Sequence, residues 1–218
     1  MSFSNGPKGI VTDGIVFFAD AGNSQCWTAG SDKAYNLVSP STGSVVNDIS
    51  GSLGSNGSWI FDGSDYITTP FDPDIVPNTL SAWVYPTAID SYRCIINNDN
   101  GGYDMGMGIW PGEYWEVRFG NNGSKTAITS YRPSVDTWYH TCVVYSASDI
   151  EFYLNGERIY NRGSGPSGQS GPNATIGSKL GTSQFWEGNI TGVITYDRAL
   201  TTAEVLQNYN SQKARFGL

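Results

Sequence analysis

The stretch Trp138–Ile159, WYHTCVVYSASDIEFYLNGERI, decides the fold of this chain. Its first part, Tyr139–Tyr145, is rich in β-branched and aromatic residues, which favour a strand buried on both faces. In Ile150–Leu154 side chains of different polarity alternate, so they fall on opposite faces of a second strand. Ser146–Asp149 is polar and forms the turn between them, and Asn155–Gly156 is a pair favoured in tight hairpin turns. The stretch therefore predicts a central antiparallel hairpin, around which further strands are laid.

Further segments with strand composition lie on both sides of this hairpin, separated by turn residues. The expected strands are Ile15–Ala19, Trp59–Asp62, Tyr66–Thr69, Leu80–Tyr85, Tyr92–Asn97, Tyr103–Trp110, Tyr114–Phe119, Thr126–Tyr131, Ala174–Gly177 and Gly188–Tyr196. By contrast, Gln25–Gly57 is rich in Gly and Ser and has no periodicity, which predicts a long loop. We expect one short helix near the end of the chain. There Thr201 and Glu204 have the spacing of a capping box, and Val205, Leu206 and Tyr209 supply an apolar face.

Length and composition favour a single all-β domain. The chain has 218 residues, 27 of them glycine, and 13% of its residues are aromatic, which suits many short strands joined by turns. We expect an N-terminal arm at 1–14, one domain at 15–211 and a C-terminal tail at 212–218. The arm and the tail are either segments for attachment to a larger assembly or frayed ends. The cysteines lack metal-type spacing and are expected to be free buried thiols: Cys26, Cys94 and Cys142.

Several sequence blocks resemble one known family. They are IVTDGIVFFADAGN at 10–23, FDGSDYI at 61–67, SAWVYP at 81–86, WEGNI at 186–190 and YDRALTTAEVLQNYN at 196–210, together with the WYH and FYLNG runs of the central hairpin. In this order they resemble the laminin-G-like modules of the concanavalin A-like superfamily. The opening and closing blocks are similar to those of modules in structural proteins of tailed bacteriophages. The resemblance implies an all-β, two-sheet antiparallel jelly-roll sandwich with one short C-terminal helix.

The resemblance also implies a function. We expect a non-catalytic protein of the virion surface, a capsid decoration protein or a fibre or tail-associated protein, that is made in the host cytoplasm without a signal peptide. Its expected partners are viral capsid or tail proteins, with host cell-surface glycans and further copies of the chain as additional candidates. The net charge of −8 argues against nucleic acid, and no apolar run approaches the length of a membrane span. Two alternatives stay open: a free carbohydrate-binding lectin, and a glycoside hydrolase or lyase on the same fold.

The acidic residues do not have the spacing of a glycosidase. That chemistry requires two carboxyl groups facing each other across a sugar. Glu113 and Glu116 are three residues apart, which places them on opposite faces of a strand, and Asp62 and Asp65 have the same odd spacing. His140, the only histidine, lies within a predicted core strand, where a structural role is expected. The sequence therefore favours binding over catalysis.

A candidate glycan-binding groove lies on two neighbouring strands. Gly106 and Gly108 would allow a ligand to approach the backbone, while the aromatic and charged side chains would stack on a sugar ring and bind its hydroxyls. The candidate residues are Asp104, Trp110, Tyr114, Glu116 and Arg118. They share one face if the two strands pair. The alternative is that the glycines let this face pack against another strand, a loop or a subunit.

The resemblance implies one candidate cofactor, a structural Ca²⁺ at the rim of the sandwich. Carboxylate, amide and backbone oxygens are the ligands that Ca²⁺ requires. By position, the candidate ligands are Asp20, Asn23 and Asp62. The alternative is that these side chains stabilise the turns in which they lie, by accepting hydrogen bonds from nearby backbone N–H groups.

Overall fold

A computed structural model gives the fold, and it describes residues 8–38, 43–47, 50–52, 57–100, 105–112, 114–120, 126–166 and 171–218. The strands are β1 (Ile15–Ala19), β2 (Lys33–Tyr35), β3 (Gly43–Asn47), β4 (Ser50–Ser52), β5 (Ser58–Asp62), β6 (Tyr66–Thr68), β7 (Asn78–Pro86), β8 (Arg93–Asn97), β9 (Met105–Trp110), β10 (Tyr114–Phe119), β11 (Thr126–Ile128), β12 (Tyr139–Tyr145), β13 (Ile150–Leu154), β14 (Glu157–Asn161), β15 (Thr175–Ile176) and β16 (Glu187–Tyr196). One helix, α1 (Thr202–Gln212), is followed by a 3-10 turn, Lys213–Phe216.

The strands form two antiparallel sheets. The first has the order β14–β13–β12–β7–β16–β5–β4, with β1 paired to β16 as well. The second has the order β11–β10–β9–β8–β15–β6–β3–β2. Two antiparallel sheets with one short helix after the last strand are the architecture predicted from the sequence, and the prediction is confirmed.

The central hairpin has the predicted strands and turns. β12 pairs with β13 on one side and with β7 on the other, so it is an interior strand of the first sheet. Asn155 and Gly156 both have positive φ, 51° and 79°, as a two-residue hairpin turn between β13 and β14 requires. A Cβ at Gly156 would also contact the side chains of Leu206 and Tyr209 in α1, at 2.9 and 3.1 Å. This turn therefore needs glycine both for its backbone angle and for the space under the helix.

The core between the sheets is rich in tryptophan. Trp27, Trp59, Trp115 and Trp186 are at most 1% exposed and pack with aliphatic residues from both sheets. Trp27 and Trp59 meet edge to face, with ring centroids 6.5 Å apart. Burial of these four large side chains contributes substantially to the hydrophobic stabilisation of the sandwich.

A second apolar layer covers the outer face of the first sheet. Trp83 of β7 stacks on Phe216 of the 3-10 turn, with centroids 4.1 Å apart, and on Tyr209 of α1 at 5.9 Å. The helix begins with the predicted capping box, in which Glu204 N donates to Thr201 Oγ1 at 3.3 Å and Thr201 N donates to the Glu204 carboxylate at 2.8 Å. The prediction of the helix and its N-terminus is thus confirmed.

One detail of the helix differs from the prediction. Leu206, expected on the apolar face, is 44% exposed, whereas Asn208 is 1% exposed. The Asn208 amide accepts a hydrogen bond from Val11 N at 2.8 Å and donates one to Tyr196 Oη at 2.9 Å. A polar residue occupies the buried face because it satisfies backbone and hydroxyl groups that would otherwise lack partners.

Both ends of the chain add to the domain predicted at 15–211. In the N-terminal arm, Val11 is bound by Asn208 and by the Tyr196 hydroxyl, which donates to Val11 O at 3.0 Å. In the tail, Phe216 packs on the first sheet and Arg215 binds Asp20. The described parts of the arm and the tail therefore pack as parts of the sandwich.

The long loop predicted at Gln25–Gly57 contains three short strands. β2 pairs with β3, β3 pairs with β6, and β4 pairs with β5, so each strand extends an edge of one of the two sheets. The Gly- and Ser-rich sequence has little strand propensity of its own. Pairing with an existing sheet edge supplies the backbone hydrogen bonds that fix these strands, and the sequence pattern does not reveal that interaction.

Candidate functional site

The pairing of β9 with β10 places the predicted groove residues on one face of the second sheet. Tyr114 lies opposite Trp110, Glu116 opposite Gly108, and Arg118 opposite Gly106. Residues directly opposite each other in antiparallel strands point to the same side. The intervening residues of both strands point into the core. Asp104, the remaining candidate, lies outside the described residues.

The two glycines of this face serve a contact within the sheet. A Cβ placed on Gly106 would overlap the carbonyl oxygen of Ile96, and one placed on Gly108 would overlap that of Arg93. The pairing of β8 with β9 also shifts its register between Cys94 and Ile96. The glycines thus allow β8 to approach β9 closely at this irregularity, and the close approach needs no ligand.

A buried charge network closes the middle of the face. Arg118 donates through Nε to Glu116 and through a terminal nitrogen to Gln184 Oε1 at 2.8 Å. Its other terminal nitrogen lies 3.7 Å from Asp99 Oδ2, which also pairs with Lys179. Lys179 and Gln184 belong to the segment between β15 and β16, which lies over the sheet at this point. Glu116 is completely buried and Arg118 is 6% exposed, so a ligand does not reach either side chain in this arrangement.

The charges in this network compensate one another. Burial alone would lower the pKa of Arg118, but the neighbouring acidic groups, including Glu116 and Asp99, raise it overall above its ordinary value. The guanidinium therefore stays charged. Glu116 Oε2 has no hydrogen-bond partner among the described residues. A network with such complete burial has the character of a structural ion cluster.

An accessible aromatic surface remains at the end of the same two strands. Trp110 and Tyr114 are half-buried and directly opposite each other. Tyr92 meets the Trp110 ring edge to face, with centroids 4.9 Å apart. The guanidinium of Arg132 lies 4.5 Å from the centroid of the Tyr114 ring and donates to its hydroxyl at 2.9 Å. We call Tyr92, Trp110, Tyr114 and Arg132 the aromatic platform.

Half of the aromatic platform was not among the residues predicted from the sequence. Tyr92 immediately precedes β8, and the pairing of Arg93 with Ile109 brings it next to Trp110. Counting residues from the β8–β9 turn would not have found this neighbour, because the register shift between Cys94 and Ile96 displaces the pairing by one residue. Arg132 lies in an irregular segment, and no sequence pattern indicates its contact with Tyr114.

The three candidate calcium ligands are each engaged in other interactions. The Asp20 carboxylate accepts hydrogen bonds from both terminal nitrogens of Arg215, at 2.6 and 2.8 Å. Asn23 Oδ1 accepts from Gln25 N at 2.9 Å, and Asp62 Oδ1 accepts from Ser64 N at 2.9 Å. The last two contacts are the side-chain turns of the alternative interpretation. Hydrogen bonds from Ser64 hold the pKa of Asp62 below its ordinary value.

The structure also separates these candidates. Asp20 contacts Thr191 beside Gly57, just before β5, whereas Asp62 is the last residue of that strand. Five residues of extended chain span about 16 Å, while ligands of one Ca²⁺ lie within about 2.6 Å of the ion. Among the described residues, no three or more His, Cys, Asp or Glu side chains are grouped closely enough to hold a metal ion. The described arrangement therefore favours the alternative interpretation of these three side chains, and the calcium site predicted from the sequence stays untested.

His140 is a buried structural residue. It is 1% exposed, its Nε2 lies 2.9 Å from Ser81 Oγ, and its ring packs against Trp83. Burial lowers the pKa of His140 to about 3, so the ring is neutral at physiological pH. The three cysteines are free and buried, as predicted. Burial raises the pKa of Cys26 to about 11 and that of Cys94 to about 12, which leaves both thiols protonated and unreactive.

The fold is a lectin-like β-sandwich of two antiparallel sheets. Residues 61–206 match a family model described as the concanavalin A-like lectin/glucanases superfamily. The chain therefore belongs to the laminin-G-like branch of that superfamily, as the sequence blocks indicated. No curated protein sequence matches the chain significantly. Within the described residues, no helix is both long and apolar enough to span a membrane.

Solved structures with the same fold include parts of larger proteins. Trypanosoma rangeli sialidase in complex with the inhibitor DANA aligns with a TM-score of 0.73 and 14% identity, covering 94% of this chain and 34% of the sialidase. A second match is domain 4 of AbnA, a GH43 extracellular arabinanase from Geobacillus stearothermophilus, in complex with arabinotriose. It aligns with a TM-score of 0.70 and 16% identity, covering 89% of this chain and 98% of that domain. The binding domain of Paraclostridial Mosquitocidal Protein 1 aligns with a TM-score of 0.62 and 21% identity, covering 91% of this chain and 52% of that domain's chain. This chain thus spans about a third of the sialidase, and at these identities the likeness concerns the fold.

Proposed function

We propose that this chain is a non-catalytic carbohydrate-binding module and that the aromatic platform is its binding surface. The observation that carries the proposal is the pairing of Trp110 and Tyr114. Two half-exposed aromatic rings stand directly opposite each other on adjacent strands, and each is held in place by a neighbour, Tyr92 or Arg132. Fixed aromatic faces bind the apolar face of a sugar ring at little cost in side-chain entropy.

The compared structures support carbohydrate as the ligand class. The arabinanase domain of the same fold is described in complex with arabinotriose, and the mosquitocidal protein fragment of that fold is described as a binding domain. The match to this chain covers 98% of that arabinanase domain. A sandwich of this size is therefore sufficient for a separate module. Short oligosaccharides are accordingly the first ligands to test.

The buried charge network supports a non-catalytic role. Glu116 lies in platform strand β10, and both Glu116 and Asp99 are ion-paired with Arg118 under the segment between β15 and β16. A glycosidase needs an acid and a second carboxylate that reach the glycosidic bond from opposite sides. In this arrangement neither group can reach a sugar on the platform without opening the network.

A glycan array followed by an incubation assay tests the proposal. The wild-type chain should bind one class of oligosaccharide or polysaccharide reversibly and should release no new reducing ends from it. Loss of binding in Trp110→Ala, with an unchanged melting temperature, would place the ligand on the platform. Release of reducing sugar that a single Asp or Glu substitution abolishes would instead favour the hydrolase alternative.

The location of the protein is a separate part of the proposal. The opening and closing sequence blocks, which resemble those of tailed-bacteriophage structural proteins, favour a capsid decoration or fibre protein that binds capsid or tail proteins. Display of a glycan-binding platform on a particle would direct it to the host surface. Mass spectrometry of purified virus particles tests this location: several copies of the chain per particle would support it, and absence of the chain would reject it.

A further inference from the structure

A cavity of about 330 Å³ opens at one end of the sandwich, away from the residues of the aromatic platform. Its floor includes Asn78, Leu80 and Thr195, which are at most 5% exposed. Leu80 lies directly opposite Thr195 in the β7–β16 pair, so both side chains face the space between the sheets, and Asn78, two residues before Leu80, faces the same way. A volume of this size lies within the range of small-molecule sites.

Two buried polar groups on the floor lack a partner. The side-chain nitrogen of Asn78 donates to the carbonyl oxygens of Pro73 and Ile75, which fixes the orientation of the amide. Its oxygen is left with no hydrogen-bond partner among the described residues, and the same is true of Thr195 Oγ1. Because an unsatisfied buried polar group is costly, the Asn78 oxygen requires a hydrogen-bond donor within the cavity, and the Thr195 hydroxyl, which can donate or accept, requires a partner of either kind.

The charged lining of the cavity is entirely acidic. In the described part of the chain, Asp72 and Asp197 line it and no Lys or Arg side chain does. Neither carboxylate takes part in an ion pair among the described residues. The nearest neighbour in sequence that carries a positive charge, Arg198, is engaged by Glu204 and Asp13. The cavity therefore offers hydrogen-bond acceptors and negative charge to its occupant.

The mouth of the cavity is apolar and unusually exposed. Ile75 is 68% exposed and Val16 is 43% exposed. Val16 is the extra residue of a bulge in the β1–β16 pair, where Ile15 and Phe17 lie opposite consecutive residues of β16. Bulges of this kind redirect a side chain and are common next to binding sites. Exposed aliphatic side chains around an acidic mouth are suited to an occupant with an apolar body.

We propose that this cavity binds a small primary amine with an apolar body. Its ammonium group pairs with Asp72 and Asp197 near the mouth, its alkyl chain packs on Val16 and Ile75, and a hydroxyl or amide donor at its far end satisfies the floor. This site lies on different residues from the aromatic platform. Its ligand is distinct from the glycan proposed above, and the two proposals stand or fall independently.

This site is tested by titrating small probe molecules into the full chain. Binding is measured from the NMR chemical shifts of the backbone amides of Leu80 and Thr195. We expect 5-amino-1-pentanol to bind with a Kd of about 1 to 10 mM, a range appropriate to so few atoms. Pentylamine, which lacks the second donor, should bind several-fold more weakly. The anion 6-hydroxyhexanoate should not shift these signals. Asp197→Asn and Thr195→Val should each raise the Kd for 5-amino-1-pentanol about fivefold or more.

Matched controls make the outcomes decisive. Asp32→Asn removes an exposed carboxylate elsewhere and should leave the Kd unchanged, as should Trp110→Ala. Asp197 is on the surface, so its substitution tests charge in a folded protein even if Thr195→Val proves unstable. Equal binding of the anionic probe would overturn the proposal by showing that the cavity does not select a cation. No shift of either amide at 50 mM 5-amino-1-pentanol would also overturn it and leave only water as the occupant.

Discussion

The hydroxyl group of Tyr145 in β12 lies 2.6 Å from the carbonyl oxygen of Arg118 in β10 and donates a hydrogen bond to it. The same hydroxyl accepts a hydrogen bond from Gly106 N at 3.1 Å. One side chain of the first sheet therefore crosses the core and joins β9 to β10 in the second sheet. Burial raises the pKa of Tyr145 well above its ordinary value, so the hydroxyl keeps its proton. The strands that carry the aromatic platform are fixed from beneath by this contact.

Removal of this hydroxyl should destabilise the protein. Tyr145→Phe keeps the ring but leaves two buried backbone groups without their partner, at a cost of about 1–3 kcal/mol. We expect the melting temperature to fall by several degrees, measured by circular dichroism. Tyr35→Phe, in an exposed side chain of β2, is the control and should have no effect. An unchanged melting temperature for Tyr145→Phe would show that the contact between the sheets contributes nothing to stability.

The pairing of Asp20 with Arg215 should also contribute to stability. It joins the end of β1 to the C-terminal 3-10 turn in a two-bonded, largely buried geometry. Arg215→Ala should lower the free energy of unfolding by about 1–2 kcal/mol in a denaturant titration, because Asp20 loses its charged partner. Lys213→Ala, in the same turn, should cost less. Equal effects of the two substitutions would contradict a specific role for Arg215.

The same pairing gives an expectation for calcium. Since Arg215 already neutralises Asp20, and Asp62 lies at the far end of β5, we expect excess chelator to leave the melting temperature of the wild-type protein unchanged. Addition of millimolar Ca²⁺ should likewise have no effect. A calcium-dependent rise in melting temperature would contradict this expectation and revive the ligand set predicted from the sequence.

Glu116 should prove to be structural. Glu116→Ala leaves the buried guanidinium of Arg118 without its nearest carboxylate, and breaking a buried pair in this way typically costs about 3–5 kcal/mol. The free energy of unfolding should fall by that amount, whereas Glu157→Ala, at an exposed position in β14, should change it little. A stable Glu116→Ala protein that loses a sugar-releasing activity would contradict the structural role and support catalysis.

Asp74 should make stability depend on pH. It is buried, and desolvation raises its pKa to about 6, with a further contribution from the charge of Asp72. The folded state therefore holds this proton more tightly than the unfolded state, in which an Asp titrates near pH 4. The resulting stabilisation is complete below about pH 4 and is lost as the pH rises through about 6.

Substitution of Asp74 isolates this effect. Asp74→Asn cannot ionise, so its melting temperature relative to the wild type should rise between pH 4 and pH 7.5. The neighbouring Asp72→Asn, at a less buried position, should show a smaller change over the same range. A difference between Asp74→Asn and wild type that is constant with pH would mean that Asp74 titrates normally.

The strands and the helix could be predicted because their signals are local. Period-two alternation, the Asn155–Gly156 turn and the capping box of Thr201 and Glu204 each depend on residues a few positions apart. The strands within Gln25–Gly57 could not, because their Gly- and Ser-rich sequence has little strand propensity of its own and pairing with the edges of β5 and β6 is what fixes them. Asn208 lies on the buried face of α1 in place of Leu206 because it binds Val11, which is 197 residues away in sequence.

The candidate site could be predicted only in part, for the same physical reason. Alternation correctly placed Trp110, Tyr114, Glu116 and Arg118 on one face. Whether a face is open depends on what lies over it, and the segment between β15 and β16 that covers Glu116 and Arg118 reaches them from more than sixty residues away. No pattern in the neighbourhood of β10 reports that contact.

The central claim is that the aromatic platform binds sugar, and calorimetry with three proteins tests it most directly. The ligand is the oligosaccharide that the wild-type chain retains best, titrated into wild type, Trp110→Ala and Tyr35→Ala, the last removing an exposed aromatic ring near the opposite edge of the same sheet. We predict that Trp110→Ala raises the Kd at least tenfold, or about 1.4 kcal/mol, while Tyr35→Ala leaves it unchanged. Equal affinity of wild type and Trp110→Ala would contradict the claim.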